Sequence, residues 1–213
     1  MVWDWSIFWR YREAFLYGAF MTAALSVLTV VFGTILGAAL ALARKSRNPI
    51  LRTLAGIYIV VFRAIPALVL ILGIYYQVPF WTAFISAVIA LALNLAAYAA
   101  ENIRAGIETI PRNQIEAAAM EGATWWQTMW HIILPQAVRN MLPNLMGEWI
   151  TSIKLTSLAS VIGVGELVNR AASINAETFR PMEVYTALAT MYLIIILPLE
   201  LVGKRIERKL TEG

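Results

Sequence analysis

Long apolar runs constrain this chain more than any other feature of its sequence. A helix needs about 20 predominantly apolar residues to cross a hydrocarbon layer of about 30 Å. Runs of that kind lie at roughly 16–42, 54–76, 81–106, 138–163 and 184–203. Apolar residues make up 60% of the chain and charged residues 14%, a balance outside that of soluble domains. The sequence therefore predicts an all-α membrane protein with about five transmembrane helices, forming a single domain over residues 1–213.

Basic residues indicate how these runs are oriented. They collect in the first connection and after the last run, as Arg44, Lys45, Arg47 and Arg52 and as Lys204, Arg205, Arg208 and Lys209. Because cytoplasmic loops carry an excess of lysine and arginine, both clusters are expected in the cytoplasm. An odd number of spans then places the N-terminus outside and the C-terminus in the cytoplasm. The segment 165–181, whose charges balance, is expected outside.

The residue inventory argues against an enzyme. His131 and Asp4 are the only histidine and the only aspartate, and there is no cysteine. A catalytic Ser/His pair, an aspartyl dyad and a metal-ligand cluster are therefore not expected. The chain has no G-x4-G-K-S/T loop to cradle nucleotide phosphates. Its net charge of +4 comes from the ends of apolar runs rather than from a basic face, so nucleic acid is not an expected partner.

One loop between apolar runs, about residues 108–137, carries a patterned motif. It reads Glu116-Ala117-Ala118-Ala119-Met120-Glu121-Gly122 and, after a spacer, Ile132-Ile133-Leu134-Pro135. The three alanines predict a small-residue helical surface, and Glu116 is expected near a helix start, where the helix dipole favours a carboxylate. Gly122 permits a turn or the close approach of a partner. Ile132, Leu134 and Pro135 are expected to tie the next segment to the helical bundle.

This spacing resembles the EAA motif of ABC importer permeases, written E-A-A-x3-G-x9-I-x-L-P, and every specified position is filled. The resemblance implies the type I ABC importer permease fold in the bacterial cytoplasmic (inner) membrane. It also implies that the motif couples the permease to an ATPase. The coupling residues would then be Glu116, Ala117, Ala118, Gly122, Ile132, Leu134 and Pro135.

Three further stretches are similar to the polar amino acid permeases of the histidine/glutamine/arginine family. They are Val61-Phe62-Arg63-Ala64-Ile65-Pro66, the run from Ala97-Tyr98 to Gly106-Ile107, and Glu148-Trp149-Ile150 followed by Lys154-Leu155-Thr156-Ser157-Leu158. Gly147 and Leu155 depart from the family pattern, which has Asn and Asp there, so no role is transferred to these two positions.

Charged side chains inside apolar runs are costly and are therefore functional candidates. An amino acid carries an ammonium and a carboxylate, so Glu148 is a candidate partner for the ammonium. Arg63, or backbone N–H groups near Pro66, would meet the carboxylate. The complete set of pathway candidates is Glu148, Arg63, Pro66, Asn94, Glu101 and Lys154.

Pairing within the chain is the alternative for several of these charges. Glu101 and Arg104 are three residues apart on one predicted helix and can pair with each other. Lys154 can pair with Glu148 across its span. Glu200, near the end of the last run, is expected to pair with the group at Lys204.

The resemblance implies a permease subunit that translocates a polar amino acid by alternating access. Its partners would be two ATP-binding ABC subunits, a second permease copy or homologue, an external solute-binding protein, the amino acid and the lipid bilayer. ATP and Mg would act in the partner ATPase, and this chain would bind no cofactor or metal itself. The alternative is a stand-alone secondary amino acid transporter or channel, which needs no EAA loop. Neither the amino acid nor the choice between homodimer and heterodimer follows from the sequence.

Overall fold

Every regular element in the computed structural model, which describes residues 3–211, is helical. The α-helices are α1 (Ser6–Arg10), α2 (Arg12–Arg44), α3 (Pro49–Ala64), α4 (Ala67–Gln77), α5 (Ala83–Glu108), α6 (Arg112–Met120), α7 (Trp125–Thr128), α8 (Leu134–Leu155), α9 (Leu167–Thr178) and α10 (Pro181–Thr211). A π-helical turn, Met129–Ile133, joins α7 to α8, and a 3-10 segment, Thr156–Ile162, follows α8. The all-α prediction is confirmed.

The five predicted spans have two different forms. Three helices, α2, α5 and α10, are each long and apolar enough to cross a membrane. The other two spans are bent pairs: α3 meets α4 at 105°, and the segment Trp125–Ile162 meets α9 at 48°. The count reaches five when each bent pair is one span. Which end of the chain faces the cytoplasm remains a prediction.

The run 54–76 was expected as one helix and is two. Ile65 has an extended backbone, with φ −82° and ψ 126°, directly after α3. The cause is Pro66, because a proline disfavours the helical conformation of the residue before it and has no N–H to donate. The break therefore follows from covalent geometry, and the residues around it are exposed or half-buried.

The core is built around α5, which small residues of α2 approach closely. A Cβ at Gly33 would lie 2.9 Å from Leu95 Cδ2, and one at Gly37 would lie 2.7 Å from Ala99 Cβ. Both glycines and both α5 residues are buried. Small residues at such an interface let two helix backbones pack closely in a membrane, where van der Waals contact replaces the hydrophobic effect between helices.

The junction before α9 holds a buried polar group. Gly163, with φ 81°, ends the 3-10 segment, and Glu166 then caps α9 by accepting from Val168 N at 2.9 Å and Asn169 N at 2.8 Å. Glu166 is completely buried. Tyr192 Oη on α10 donates to the same carboxylate at 3.4 Å. One side chain thus joins α9 to α10.

Candidate functional site

The break between α3 and α4 opens a cavity of about 470 Å³. Four of the six predicted pathway residues line it, namely Arg63, Pro66, Asn94 and Glu148. They come from four places: the end of α3, the break itself, the middle of α5 and α8. The size is within the range of about 300–1,000 Å³ typical of small-molecule sites.

Helix α5 supports the broken end of α3. The last carbonyl groups of a helix lack partners inside it. Phe62 O accepts from Asn94 Nδ2 at 3.2 Å, and Arg63 O accepts from Tyr98 Oη at 3.5 Å. The guanidinium of Arg63 lies over the Tyr98 ring, 5.3 Å from its centroid. These contacts fix the position of the only cationic side chain that lines the cavity among the described residues.

Glu148 faces the same cavity from α8. Its carboxylate accepts from Asn102 Nδ2 at 3.3 Å, and within residues 3–211 it forms no ion pair. Thr151 and Ser152, on the following turn, also line the cavity. A half-buried carboxylate with a single long hydrogen bond retains capacity to accept from a bound group.

Helix α4 contributes its positive end. It begins at Ala67, which lines the cavity beside Pro66. The N–H groups of Val69 and Leu70 donate to Pro66 O. The N–H groups that precede them at the start of α4 have no partner within the helix. Those groups and the helix dipole favour a negative charge. The cavity therefore offers Arg63 and a helix N-terminus to an anionic group, and Glu148 to a cationic one.

The other two pathway candidates lie outside this cavity and pair within the chain. Glu101 is bonded to Arg104 through both of its oxygens, as the alternative prediction stated. Lys154 Nζ lies 3.5 Å from Glu200 Oε1 on α10. The predicted pairings of Lys154 with Glu148 and of Glu200 with Lys204 are therefore wrong, because the side of α8 that carries Lys154 faces α10 rather than the cavity.

The first half of the EAA motif ends a helix. Glu116, Ala117 and Ala118 lie in α6, and Gly122 follows with φ 82°. Ala123 N donates to Ala118 O at 3.0 Å and Gly122 N to Ala119 O at 3.1 Å. These two bonds form a Schellman motif, which needs a residue in the left-handed conformation at the glycine position. The glycine of the motif is thus explained by helix termination.

Two expectations about α6 need correction. Glu116 lies in the middle of the helix rather than near its start, because α6 begins at Arg112. The alanines do not share one surface: Ala118 is buried, whereas Ala117 and Ala119 are exposed, as the helical period requires of consecutive residues. The space beside Gly122 is open, with no other atom of this chain within 4 Å of a built Cβ.

The second half of the motif leads from the π-helical turn into α8. Ile132 and Leu134 are half-buried and Pro135 is exposed, so the expectation that these three residues tie the segment to the bundle remains a prediction. Buried Ile133 and Ala137 pack with Ile110 in this segment. Gln136 Nε2 also donates to Gln114 Oε1 on α6 at 2.8 Å.

Several residues of the cavity were missed from the sequence. Tyr98, which lines the cavity, and Asn102, which donates to Glu148, follow Asn94 at intervals of four residues on α5. Thr151 follows Glu148 by three residues on α8. These spacings place side chains on one helical face. That period, applied from Asn94 and Glu148, is the signal that identifies them.

The chain that contains this cavity and this helix-terminating motif matches one known protein family. The sequence profile of the binding-protein-dependent transport system inner membrane component matches residues 30–212. The chain belongs to this family. It is therefore the inner-membrane permease subunit of an ABC importer, a class in which ATP hydrolysis belongs to a separate subunit, and its family implies ATPase and permease partners.

Individual relatives of this permease agree over nearly its whole length. It is 37% identical to the glutamine transport system permease protein GlnP of Escherichia coli (strain K12) over 216 residues, covering 99% of each chain. It is 41% identical to the L-cystine transport system permease protein TcyB of Bacillus subtilis (strain 168), covering 91% of this chain and 85% of that protein.

Solved structures support the fold. A chain in the crystal structure of an amino acid ABC transporter with histidines matches with a TM-score of 0.91 and 36% identity, covering 98% of this permease and 100% of that chain. A chain of the inward-facing MetNI methionine ABC transporter matches with a TM-score of 0.78 at 20% identity. The permease thus has the type I ABC permease fold.

Proposed function

We propose that this permease conducts a polar amino acid through the cavity at the break between α3 and α4. The observation that carries the proposal is the presence of Arg63 and Glu148 on the walls of one cavity. A zwitterion presents a carboxylate and an ammonium, and these two side chains offer one complementary charge for each. The names of the glutamine and L-cystine permeases favour the same substrate class.

The carboxylate of the amino acid would face Arg63 and the first N–H groups of α4. Its ammonium would face Glu148, whose single bond to Asn102 leaves acceptor capacity. Asn94 and Thr151 supply neutral polar groups for a side chain. Arg63 and Glu148 cancel in formal charge, which favours a substrate without net charge.

Transport would follow an alternating-access cycle driven by partner subunits. Two ATP-binding subunits would dock on the segment from α6 to α8, and ATP and Mg would act there. A second permease copy or homologue would complete the pathway, and an external binding protein would deliver the amino acid. The coupling residues proposed are Glu116, Ala117, Ala118, Gly122, Ile132, Leu134 and Pro135.

Uptake into proteoliposomes tests the substrate role. Glu148→Gln keeps the shape of the side chain and removes its charge, so uptake of a polar amino acid should fall at least about tenfold, a loss of about 1.4 kcal/mol. Copurification with the ATPase and basal ATP hydrolysis should persist. The matched control is Glu177→Gln, an exposed carboxylate on α9, which should transport normally. Normal uptake by Glu148→Gln would contradict the proposal.

A second experiment tests the coupling segment. Gly122→Arg should leave the permease inserted and weaken its copurification with the ATPase, because a long side chain fills the open space beside the glycine. Gly122→Asn is the control, since asparagine tolerates the left-handed conformation. Unchanged copurification and transport by the arginine variant would remove the coupling role.

The alternative of a stand-alone secondary transporter or channel makes a different prediction. Such a protein would transport after purification without any ATPase, and Gly122→Arg would not affect it. The family match favours the importer. Transport assays with a panel of competing amino acids would then identify the substrate.

A further inference from the structure

A second cavity, of about 430 Å³, lies between α3 and the end of α2. Its lining combines one guanidinium, one hydroxyl and several apolar side chains: Arg44, Thr53, Gly56, Ile57, Val60 and Val61. Arg44 belongs to the last turn of α2, and the others belong to α3. None of these residues contributes to the cavity between α3 and α4.

Arg44 is held against α3 at a glycine. A Cβ at Gly56 would lie 2.8 Å from Arg44 Nη1, so a larger residue there would displace the guanidinium. The same nitrogen lies 3.5 Å from the carbonyl oxygen of Arg52. The guanidinium therefore has a defined position at the wall of the cavity.

The basic residues around the connection between α2 and α3 form no ion pair within the part of the chain that the structure describes. Over residues 3–211, no ion pair involves Arg44, Lys45, Arg47 or Arg52. Glu101 lies within electrostatic range of Arg44, but both of its oxygens are bonded to Arg104. The cavity thus retains a cation that can attract an anionic group.

The remaining wall is apolar and faces away from the bundle. Ile57, Val60 and Val61 are 55%, 69% and 42% exposed. Exposed Ile50, Leu51 and Leu54 extend this face along α3. In a membrane protein, a surface of this kind meets hydrocarbon, while arginine at the end of a helix reaches the headgroup layer.

We propose that this cavity binds an anionic phospholipid. The lipid phosphate contacts the Arg44 guanidinium and the Thr53 hydroxyl, and an acyl chain lies along Ile57, Val60 and Val61. Basic pockets between membrane helices bind anionic headgroups in this way. The argument for a lipid rather than a second permease copy is charge complementarity, since one molecule supplies both an anionic phosphate for Arg44 and hydrocarbon for the apolar wall.

Fluorescence quenching tests the location. The chain has no cysteine, so Val60→Cys can be labelled specifically and reconstituted with its ATPase subunits into phosphatidylcholine vesicles. Added phosphatidylglycerol with a quencher on its acyl chain should quench this label at least threefold more than the same quencher on phosphatidylcholine. Equal quenching by the two lipids would overturn the proposal.

Variants test the chemistry. Arg44→Gln should abolish the preference for phosphatidylglycerol, whereas Arg47→Gln, a matched change outside the cavity, should leave it within twofold. Gly56→Leu should also abolish it without altering net charge. A preference that survives Arg44→Gln and Gly56→Leu in folded protein would overturn the proposal. So would disulfide pairs between Val60→Cys copies, which would show that a second permease covers this face.

Discussion

The carboxylates of Glu166, at the junction before α9, and Glu148, in the cavity, differ in burial and in the number of hydrogen bonds that they accept. Glu166 is completely buried and accepts three hydrogen bonds, from two backbone amides and from Tyr192. Glu148 is half-buried and accepts one, at 3.3 Å. The more deeply buried group is therefore the one whose bonding needs are met by its own chain.

If Glu148 meets the substrate as proposed, this difference distinguishes a structural carboxylate from a functional one. Burial of charge is costly in both places. At Glu166 the bonds offset that cost and join α9 to α10. At Glu148 acceptor capacity is left over, so the cost is reduced only when a donor enters the cavity. Under that proposal, the number of accepted hydrogen bonds separates the two roles better than burial does.

Removal of Glu166 should have the largest effect on stability. Glu166→Ala leaves the amides of Val168 and Asn169 without partners, and a lost helix cap alone costs about 1–2 kcal/mol. With the Tyr192 bond also lost, the total should reach about 3 kcal/mol. The thermal unfolding midpoint of purified permease measures this. Glu13→Ala, at a side chain 90% exposed, is the control and should not shift it.

Asn94 has both a structural contact and a place on the cavity wall, so its removal should affect both stability and uptake. It is 6% exposed, lines the cavity, and donates to Phe62 O at the broken end of α3. Asn94→Ala should therefore lower stability by about 1–2 kcal/mol and reduce uptake as well. Unfolding and uptake measured on the same preparation test this. Loss of uptake at full stability would show that the bond to α3 carries little energy.

A double-mutant cycle tests which partner Lys154 has. Its ion pair with Glu200 joins side chains that are 54% and 41% exposed, so the coupling energy should be about 0.2–1 kcal/mol. The cycle between Lys154→Met and Glu148→Gln should give a coupling close to zero. A larger coupling with Glu148 than with Glu200 would mean that the cavity carboxylate is structural after all.

Tyr98→Phe should have the smallest effect. Its hydroxyl donates to Arg63 O at 3.5 Å, the long limit of a hydrogen bond, and phenylalanine keeps the ring beneath Arg63. Stability should change by less than about 0.5 kcal/mol. If the unfolding midpoint fell as far as in Asn94→Ala, the Arg63 carbonyl would depend on Tyr98 as strongly as the Phe62 carbonyl depends on Asn94.

Much of the fold could be read from sequence because hydrocarbon length and helical period are local properties. Each of the five apolar runs is largely helical, and the proline at position 66 is the local signal for the break between α3 and α4. The apolar composition of the run nevertheless favoured a single helix, because apolar residues continue on both sides of Pro66. The Schellman motif at Gly122 was also local, since its bonds join residues only a few positions apart.

The pairing of Glu101 with Arg104 could be predicted because both lie on one helix, whereas charge partners on different helices could not. Lys154 is six residues from Glu148 but pairs with Glu200 on another helix, and this depends on how α8 and α10 pack. The Glu166 network likewise needs Tyr192 from α10. The sequence identifies which charged residues are costly to bury in a membrane. The hydrogen bonds and ion pairs that offset this cost depend on tertiary packing.

The π-helical turn at Met129–Ile133 makes the orientation of the preceding helix depend on the number of residues in the turn. Each residue of an α-helix turns by about 100°, and a π-helical turn accommodates extra chain within a continuous helix. The exposed tryptophans Trp125 and Trp126 precede this turn and Glu148 follows it. Deleting one residue within the turn would restore α-helical winding and rotate the tryptophans by about 100° about the axis of α8. The number of residues in the π-helical turn therefore sets the rotation of the tryptophans relative to Glu148 about the helix axis. A one-residue deletion would change the direction in which the tryptophans face without breaking the helix.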